Sequence, residues 1–344
     1  METLLYYPLL SVWVFLVSRL FSIIGLSAAS LLLSVAAQAD VRVLTSIKPL
    51  QLIAAAVQDG VGEPGVLLPP GASPHHYALR PSDVRQVRKV ALFYWVGPDL
   101  ESFLPRVLSA RDKPSVAVQD LPGMTLRHFG DAHADHADHD EHEHEHEHEH
   151  EHGAPEDEAA DAHEHDHDHR PGTLDAHLWL LPANARVIAA RMAADLAIAD
   201  PANAARYQAN FTAFDQRLAR LDQRLKTRLA DVVGKPYFVF HEAYDYFEAA
   251  YGLKHAGVFS VANEVQPGAR HVAAMRNRLQ AVGPTCVFSE PPMRPRLAQT
   301  LTAGLPVTLA ELDAMGVDLA ADKQGYETLL DNMADQLVGC LGTL

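Results

Sequence analysis

Cysteine and positive charge are both scarce in this chain. Among 344 residues there are only two cysteines, Cys286 and Cys340, and neither lies near the N-terminus. The sequence therefore has no cysteine placed to carry a lipid anchor at a processed N-terminus. Lys and Arg total 28 against 44 Asp and Glu, which gives a formal net charge of −16. No basic patch stands out, so we expect no nucleic-acid partner.

The excess of negative charge is confined to one segment. Residues 131–169 contain thirteen of the 20 histidines and seventeen Asp and Glu, with no Lys or Arg. Outside it, 27 acidic residues face 28 basic ones, so the rest of the chain is nearly neutral. Imidazole is a good ligand for Zn, Ni, Cu and Co, and this composition cannot bury an apolar core. We predict a disordered, metal-catching insertion; the alternative is a solvated acidic loop whose histidines are incidental.

The N-terminus has the pattern of a secretory signal. Residues 4–36 are nearly all apolar, and the small residues Ala37 and Ala39 fit a signal peptidase site, so we expect residues 1–39 to be removed and the mature chain to begin at Asp40. A membrane anchor is the alternative, because an apolar run of this length could span a bilayer. We expect a periplasmic protein that is not lipidated, whose mature chain does not insert stably in the membrane. Because cysteines commonly pair in that oxidising compartment, we expect a disulfide between Cys286 and Cys340. The alternative is two free buried thiols.

Strand-like and helix-like runs alternate on both sides of a helical middle segment. This predicts an α/β fold of two lobes, each a parallel-rich sheet flanked by helices. We place the N-terminal lobe at 40–181 with its His-rich loop at 131–169, the helices at 182–232 and the C-terminal lobe at 233–344. Apolar residues spaced by three and four predict a helix long enough to join the lobes as a rigid strut, and a helical hairpin packed on one lobe is the alternative. They are Tyr207, Phe211, Phe214, Leu218, Leu221, Leu225 and Leu229.

Three of the histidines outside the tract occupy positions typical of ligands in α/β domains. His75, His177 and His241 lie at the ends of predicted strands or in the loops after them. Each alone is more often a hydrogen-bonded structural residue, but in a chain that also carries a His-rich segment the three together indicate a metal site. We expect His76 and His271 to be solvated, and the pattern assigns no role to His255.

Five separated motifs resemble the periplasmic zinc-binding proteins of ABC importers, the ZnuA type. They are LPPGASPH with LRPSD at 68–83, DAHLWL at 175–180, FVFHEAY at 238–244, NEVQPG at 263–268 and CVFSEP at 286–291. The resemblance covers essentially all of 40–344. It implies two lobes joined by a long rigid helix, with Zn²⁺ as the transported ligand in the cleft between them. It also implies an inner-membrane ABC permease as partner, and we expect the protein to be a monomer.

The resemblance implies His75, His177 and His241 as the zinc ligands. Manganese-binding relatives have a carboxylate at the position of His241, and an imidazole there favours Zn over the harder Mn. Some zinc-binding members carry Glu immediately before the first ligand, where this chain has Pro74. The fourth position is then water, which we favour, or Asp313, or a histidine from the tract.

Two other functions compete with zinc import. Three histidines plus a water also form a catalytic zinc set, and Glu242 could serve as the base of a zinc-dependent hydrolase. Neighbouring residues on a strand point to opposite faces, however, and no H-E-x-x-H motif is present, so we expect no enzyme. A periplasmic metal buffer or a surface adhesin is the other alternative, and the missing lipid cysteine weakens the surface role.

Overall fold

The computed structural model of the chain describes residues 41–130, 172–259, 269–291 and 296–344. Val41–Leu344 form one compact unit. The expected signal peptide at 1–39, the His-rich loop at 131–169 and the motif at 263–268 lie outside the described residues, so these assignments stay predictions. Within the described part, no helix is both long and apolar enough to span a membrane.

The N-terminal part is built on a four-stranded parallel sheet. Its strands are β1 (Val43–Thr45), β2 (Gly65–Val66), β3 (Leu92–Trp95) and β4 (Ser115–Ala117), in the spatial order β2-β1-β3-β4. Every residue of the central strand β3 is apolar and buried, as expected for a parallel sheet covered on both faces. Three helices follow these strands: α1 (Lys48–Val57), α2 (Pro81–Lys89) and α3 (Pro105–Leu108).

Two long helices follow the N-terminal sheet in the chain. They are α4 (Pro182–Ala199) and α5 (Ala204–Leu229), separated by a short 3-10 turn at Pro201–Asn203. The 26 residues of α5 give it a length of about 39 Å at 1.5 Å per residue. The predicted apolar stripe is buried along α5 except for Phe211, which is half-buried. Periodicity therefore located this helix, although the chain first makes the 3-10 turn at the proline.

The C-terminal part repeats the design of the first sheet. Its parallel strands are β5 (Tyr237–Val239), β6 (Gly257–Val258), β7 (Thr285–Ser289) and β8 (Val307–Glu311), in the order β6-β5-β7-β8. The helices are α6 (Asp245–Tyr251), α7 (Ala269–Val282), α8 (Arg296–Thr302) and α9 (Gly325–Leu341). Helix α5 packs against α1 on the N-terminal side and against α6 and α9 on the C-terminal side. The predicted two-lobed α/β class is confirmed, while the domain boundaries stay a prediction.

A disulfide ties the last helix to the second sheet. Cys286 in β7 and Cys340 in α9 are bonded, with Cα atoms 6.2 Å apart and 54 residues between them in sequence. Both side chains are buried. The pairing predicted for an oxidising compartment is confirmed, and the alternative of two free thiols is wrong.

Candidate metal site

The structure brings the three predicted histidines together. The ring centroids of His75 and His177 are 5.5 Å apart, those of His75 and His241 are 5.3 Å apart, and those of His177 and His241 are 4.8 Å apart. One ring nitrogen from each residue lies within 4.8 Å of the others. His75 and His177 are 5% and 2% exposed, and the side chain of His241 is 13% exposed. Three imidazoles thus converge on one point shielded from solvent.

Parallel-sheet topology explains why two of these residues meet. His75 lies in the loop that leaves the carboxyl end of β2, and His241 lies just beyond the carboxyl end of β5. Ligands of α/β sheets bind at that edge because the loops after the strands converge there. The first loop is held locally, since the backbone N–H of His75 donates to Ser73 Oγ at 3.2 Å.

His177 is placed by contacts that reach into the C-terminal part. It precedes the fully buried 3-10 turn Leu178–Leu180. In that turn Trp179 Nε1–H donates to the carbonyl oxygen of Ala314 at 3.0 Å, and the hydroxyl of Tyr246 donates to the carbonyl of Asp175 at 2.8 Å. The segment that carries His177 is therefore fixed by residues more than sixty positions away in sequence, which no local pattern could show.

A carboxylate orients His177. Asp175 Oδ1 lies 2.7 Å from His177 Nδ1, and the same oxygen accepts the backbone N–H of His177 at 2.9 Å. Burial raises the pKa of Asp175, and the hydrogen bond from the His177 backbone opposes that shift by favouring the ionised form. A carboxylate on Nδ1 fixes the ring orientation and leaves Nε2 as the nitrogen that binds a metal.

Glu290 holds His241 in the same way. Its Oε1 lies 3.0 Å from His241 Nδ1 and 3.3 Å from the hydroxyl of Tyr244, which donates to the carbonyl of Leu312 at 2.8 Å. Burial favours the neutral acid, but the imidazoles of His241 and His75 outweigh it and lower the pKa of Glu290. Glu290 belongs to the CVFSEP motif and directly follows the carboxyl end of β7, but its contact with His241 was not predicted.

The carboxylate of Asp313, a candidate fourth ligand, accepts hydrogen bonds from the backbone that follows it. Its Oδ1 accepts the backbone N–H groups of Met315 and Gly316 at 2.9 and 2.7 Å, and its Oδ2 accepts that of Val317 at 2.9 Å. Among the described residues, the group of mutually close ligand atoms around the three histidines contains no carboxylate. The buried Pro74 beside His75 offers no ligand atom either. Because Asp313 already accepts three backbone N–H groups, water stays the preferred fourth ligand.

Two other histidines of the described part, His76 and His255, are not members of this group. His76 is exposed, and its ring centroid is 6.5 Å from that of His75. His255 is buried, with Nδ1 3.0 Å from both carboxylate oxygens of Glu248. The side chain of His271 lies outside the described residues, so its expected solvation stays a prediction.

A crevice between the two halves borders the group of three histidines. Its N-terminal wall comes from the loop after β2, and its opposite wall includes Glu290, next to His241, and Met315. Lys48 at the start of α1 also lines it, and partial burial lowers the pKa of this lysine. The crevice is lined by Pro74, the neighbour of His75 in the chain, and by Glu290, which contacts His241.

Sequence comparison places the chain in a known family. The family model for ZnuA, described as the periplasmic component A of a zinc-uptake complex, matches residues 43–340. A high-affinity zinc uptake system protein ZnuA of Yersinia pestis is 39% identical over 318 residues, covering 92% of this chain and 96% of that protein. The protein of the same name from Brucella abortus (strain 2308) is 39% identical over 305 residues, covering 87% and 91%.

Solved structures share the fold. A crystal structure of ZnuA matches with a TM-score of 0.67 at 21% identity, covering 88% of this chain and 99% of that one. The periplasmic zinc-binding protein TroA from Treponema pallidum matches with a TM-score of 0.66 at 17% identity, covering 88% and 99%. The match of the family model over nearly the whole compact unit shows that the chain belongs to the ZnuA family of periplasmic zinc-uptake components.

Proposed function

We propose that this chain captures Zn²⁺ between its two lobes with His75, His177 and His241 and delivers it to an inner-membrane ABC permease. The observation that carries the proposal is the convergence of three largely buried imidazole nitrogens within 4.8 Å of one another. The names of the relatives, high-affinity zinc uptake system proteins, supply the metal and the direction of transport.

The ligand set suits capture followed by release. Zinc binds imidazole nitrogen at about 2.0–2.1 Å, and three protein ligands leave a fourth tetrahedral position open. With water there, the ion can exchange ligands one at a time, which transfer to a permease requires. Three imidazoles also favour zinc over manganese, which prefers oxygen ligands.

The His-rich tract at 131–169 would serve this site as a source of ions. Many weak imidazole sites tethered near the cleft raise the local concentration of zinc without forming the tight site themselves. The apolar N-terminus, followed at the expected cleavage site by Asp40 and not by a cysteine, supports secretion to the periplasm by a signal peptide without lipidation.

The hydrolase alternative lacks its base. The family is one of zinc-uptake components, not of enzymes. Glu242, the candidate base, groups with Asp245 and His255 and not with the three histidines. A metal buffer would use the same ligands, so dependence on a permease separates buffering from import.

The test is growth in zinc-depleted medium of a strain that lacks its own zinc-binding component. The wild-type chain should restore growth only when a cognate permease is present, and the variants His75→Ala, His177→Ala and His241→Ala should fail. His76→Ala, a change to the exposed neighbour, is the matched control and should restore growth. Normal growth with a His177→Ala and His241→Ala double variant would overturn the site assignment, and growth without the permease would overturn import.

A further inference from the structure

A second group of metal-ligating side chains lies within the C-terminal lobe. Glu242, Asp245 and His255 each place one ligand atom within 4.8 Å of the other two. Glu242 precedes α6, Asp245 is its first residue, and His255 lies between α6 and β6. Asp245 and His255 are 7% and 5% exposed, so this group is an interior feature and not a solvated acidic patch.

A carboxylate contacts Nδ1 of the His255 imidazole, as carboxylates contact Nδ1 of His177 and His241. Both oxygens of Glu248 lie 3.0 Å from His255 Nδ1, and Tyr237 donates its hydroxyl hydrogen to Glu248 Oε1 at 2.6 Å. Asp175 and Glu290 contact Nδ1 of His177 and His241 in the same manner. A carboxylate on one ring nitrogen is the arrangement that orients metal-binding histidines, and it leaves Nε2 for the ion.

The chain folds back on itself to make this contact. Helix α6 ends at Gly252, whose φ of 70° is in the left-handed region, and the backbone N–H of Leu253 donates to the carbonyl of Glu248 at 3.0 Å. This turn reverses the chain so that His255 returns beside Glu248, seven positions earlier. The position of the imidazole is thus set by backbone geometry.

Negative charge exceeds positive charge around this imidazole. Glu242, Asp245 and Glu248 place three carboxylates around the single imidazole of His255. Buried carboxylates need a paired charge or a metal to offset their desolvation.

We propose that Glu242, Asp245 and His255 form a second divalent-cation site, distinct from the site of the three histidines. One imidazole and two carboxylates suit a first-row divalent ion, and the harder oxygen donors discriminate less between zinc and manganese than three imidazoles do. Tetrahedral zinc with ligands at about 2.1 Å needs them about 3.4 Å apart. The three ligand atoms, which lie within 4.8 Å of one another, must therefore close by up to about 1.4 Å around the ion.

Zinc itself is the probe for this site. Crystals of the full mature chain, residues 40–344, grown with excess zinc should show two anomalous difference peaks at the zinc absorption edge within the folded body. One should lie among the three histidines, and the other should lie among Glu242, Asp245 and His255. The peaks are read independently, so failure of one site is distinguishable from failure of the other.

Three variants complete the test. His255→Gln and Asp245→Asn should each remove only the second peak and lower by one the zinc ions counted per chain in native mass spectrometry. His76→Gln, a change to an exposed histidine in the same background, should leave both peaks and the count unchanged. A single peak at saturating zinc would overturn the proposal and would mean that His255 serves only as a cation that pairs with Glu248. A second peak that persists in both variants would overturn it as well.

Discussion

Asp175 contacts His177 twice with a single oxygen, at 2.7 Å from Nδ1 and at 2.9 Å from the backbone nitrogen. The two residues are separated by only one position, so the contact is built into the local chain and needs no lobe movement. The carboxylate selects the tautomer with hydrogen on Nδ1 and stabilises the ring as it donates electron density to a metal. The affinity of the site should therefore depend on a residue that never touches zinc.

Replacing Asp175 by Asn should weaken the tightest zinc site about 10- to 100-fold, the usual effect of losing a carboxylate behind a metal-bound histidine. Competition with a chelator strong enough to strip the weaker sites measures that affinity. Asp59→Asn, which changes a more exposed carboxylate that pairs with Arg206, is the control and should have no effect. Equal affinities for Asp175→Asn and the wild type would show that Asp175 has a structural role only.

Glu101 should make the stability of the metal-free protein depend on pH. It is fully buried, with Oε2 accepting the backbone N–H of Gly97 at 3.0 Å, and burial raises its pKa to about 7 from 4.5. Between these values the folded state holds a proton that the unfolded state has released. The stabilising effect of that proton is complete below pH 4.5 and is lost as the pH rises to about 7, a change of about 3 kcal/mol in the free energy of unfolding.

The Glu101→Gln variant should lack this component, because the amide does not titrate. Urea unfolding at pH 5 and at pH 8 should show a smaller fall in stability for this variant than for the wild type. The exposed Glu63→Gln is the matched control and should behave as the wild type does. Parallel stability curves for Glu101→Gln and the wild type would contradict the raised pKa.

The disulfide between Cys286 and Cys340 should stabilise the protein by constraining the unfolded chain. Its sequence separation of 54 residues corresponds to about 4 kcal/mol in the chain-entropy treatment. The Cys286→Ala, Cys340→Ala double variant should lose stability of that order in urea unfolding, and the wild type in reductant should match it. Thiol titration of the unreduced, denatured wild type should find no thiol, and two reactive thiols would refute the bridge.

The sequence alone predicted those elements whose position depends on a local pattern of residues. Spacing of apolar residues located α5, and Pro182 marked the start of α4, because each signal is confined to a few helical turns. The residue pattern of 101–109 predicts a helix, but in the structure only Pro105–Leu108 is helical, and the buried Glu101 accepts the backbone N–H of Gly97. The pattern of 237–241 predicts a strand that ends at His241, but β5 ends at Val239 and leaves His241 in the loop. Such endpoints are decided by tertiary contacts.

The same limit applies to the site. His75, His177 and His241 could be selected because ligands of α/β folds follow strand ends. The partner of His241 was harder to select, since Glu290 lies 49 residues away from it in sequence. The commitment of Asp313 to three backbone amides depends on the shape of the turn at 315–317. The sequence assigned no role to His255, because a single glycine, Gly252, is the only sequence signal for the chain reversal that brings His255 beside Glu248.

The most direct test of the three-histidine site is a zinc titration of the chain that lacks residues 131–169, with and without His177→Ala. The deleted chain should keep one tight zinc ion, because its ligands lie outside the tract and shortening a long loop changes closure entropy only slowly. In that background His177→Ala should weaken the tight ion by more than the loss of Asp175 does, and His76→Ala should leave it unchanged. Loss of the tight ion on deletion of the tract, or its full retention in His177→Ala, would contradict the assignment of the tight site to His75, His177 and His241.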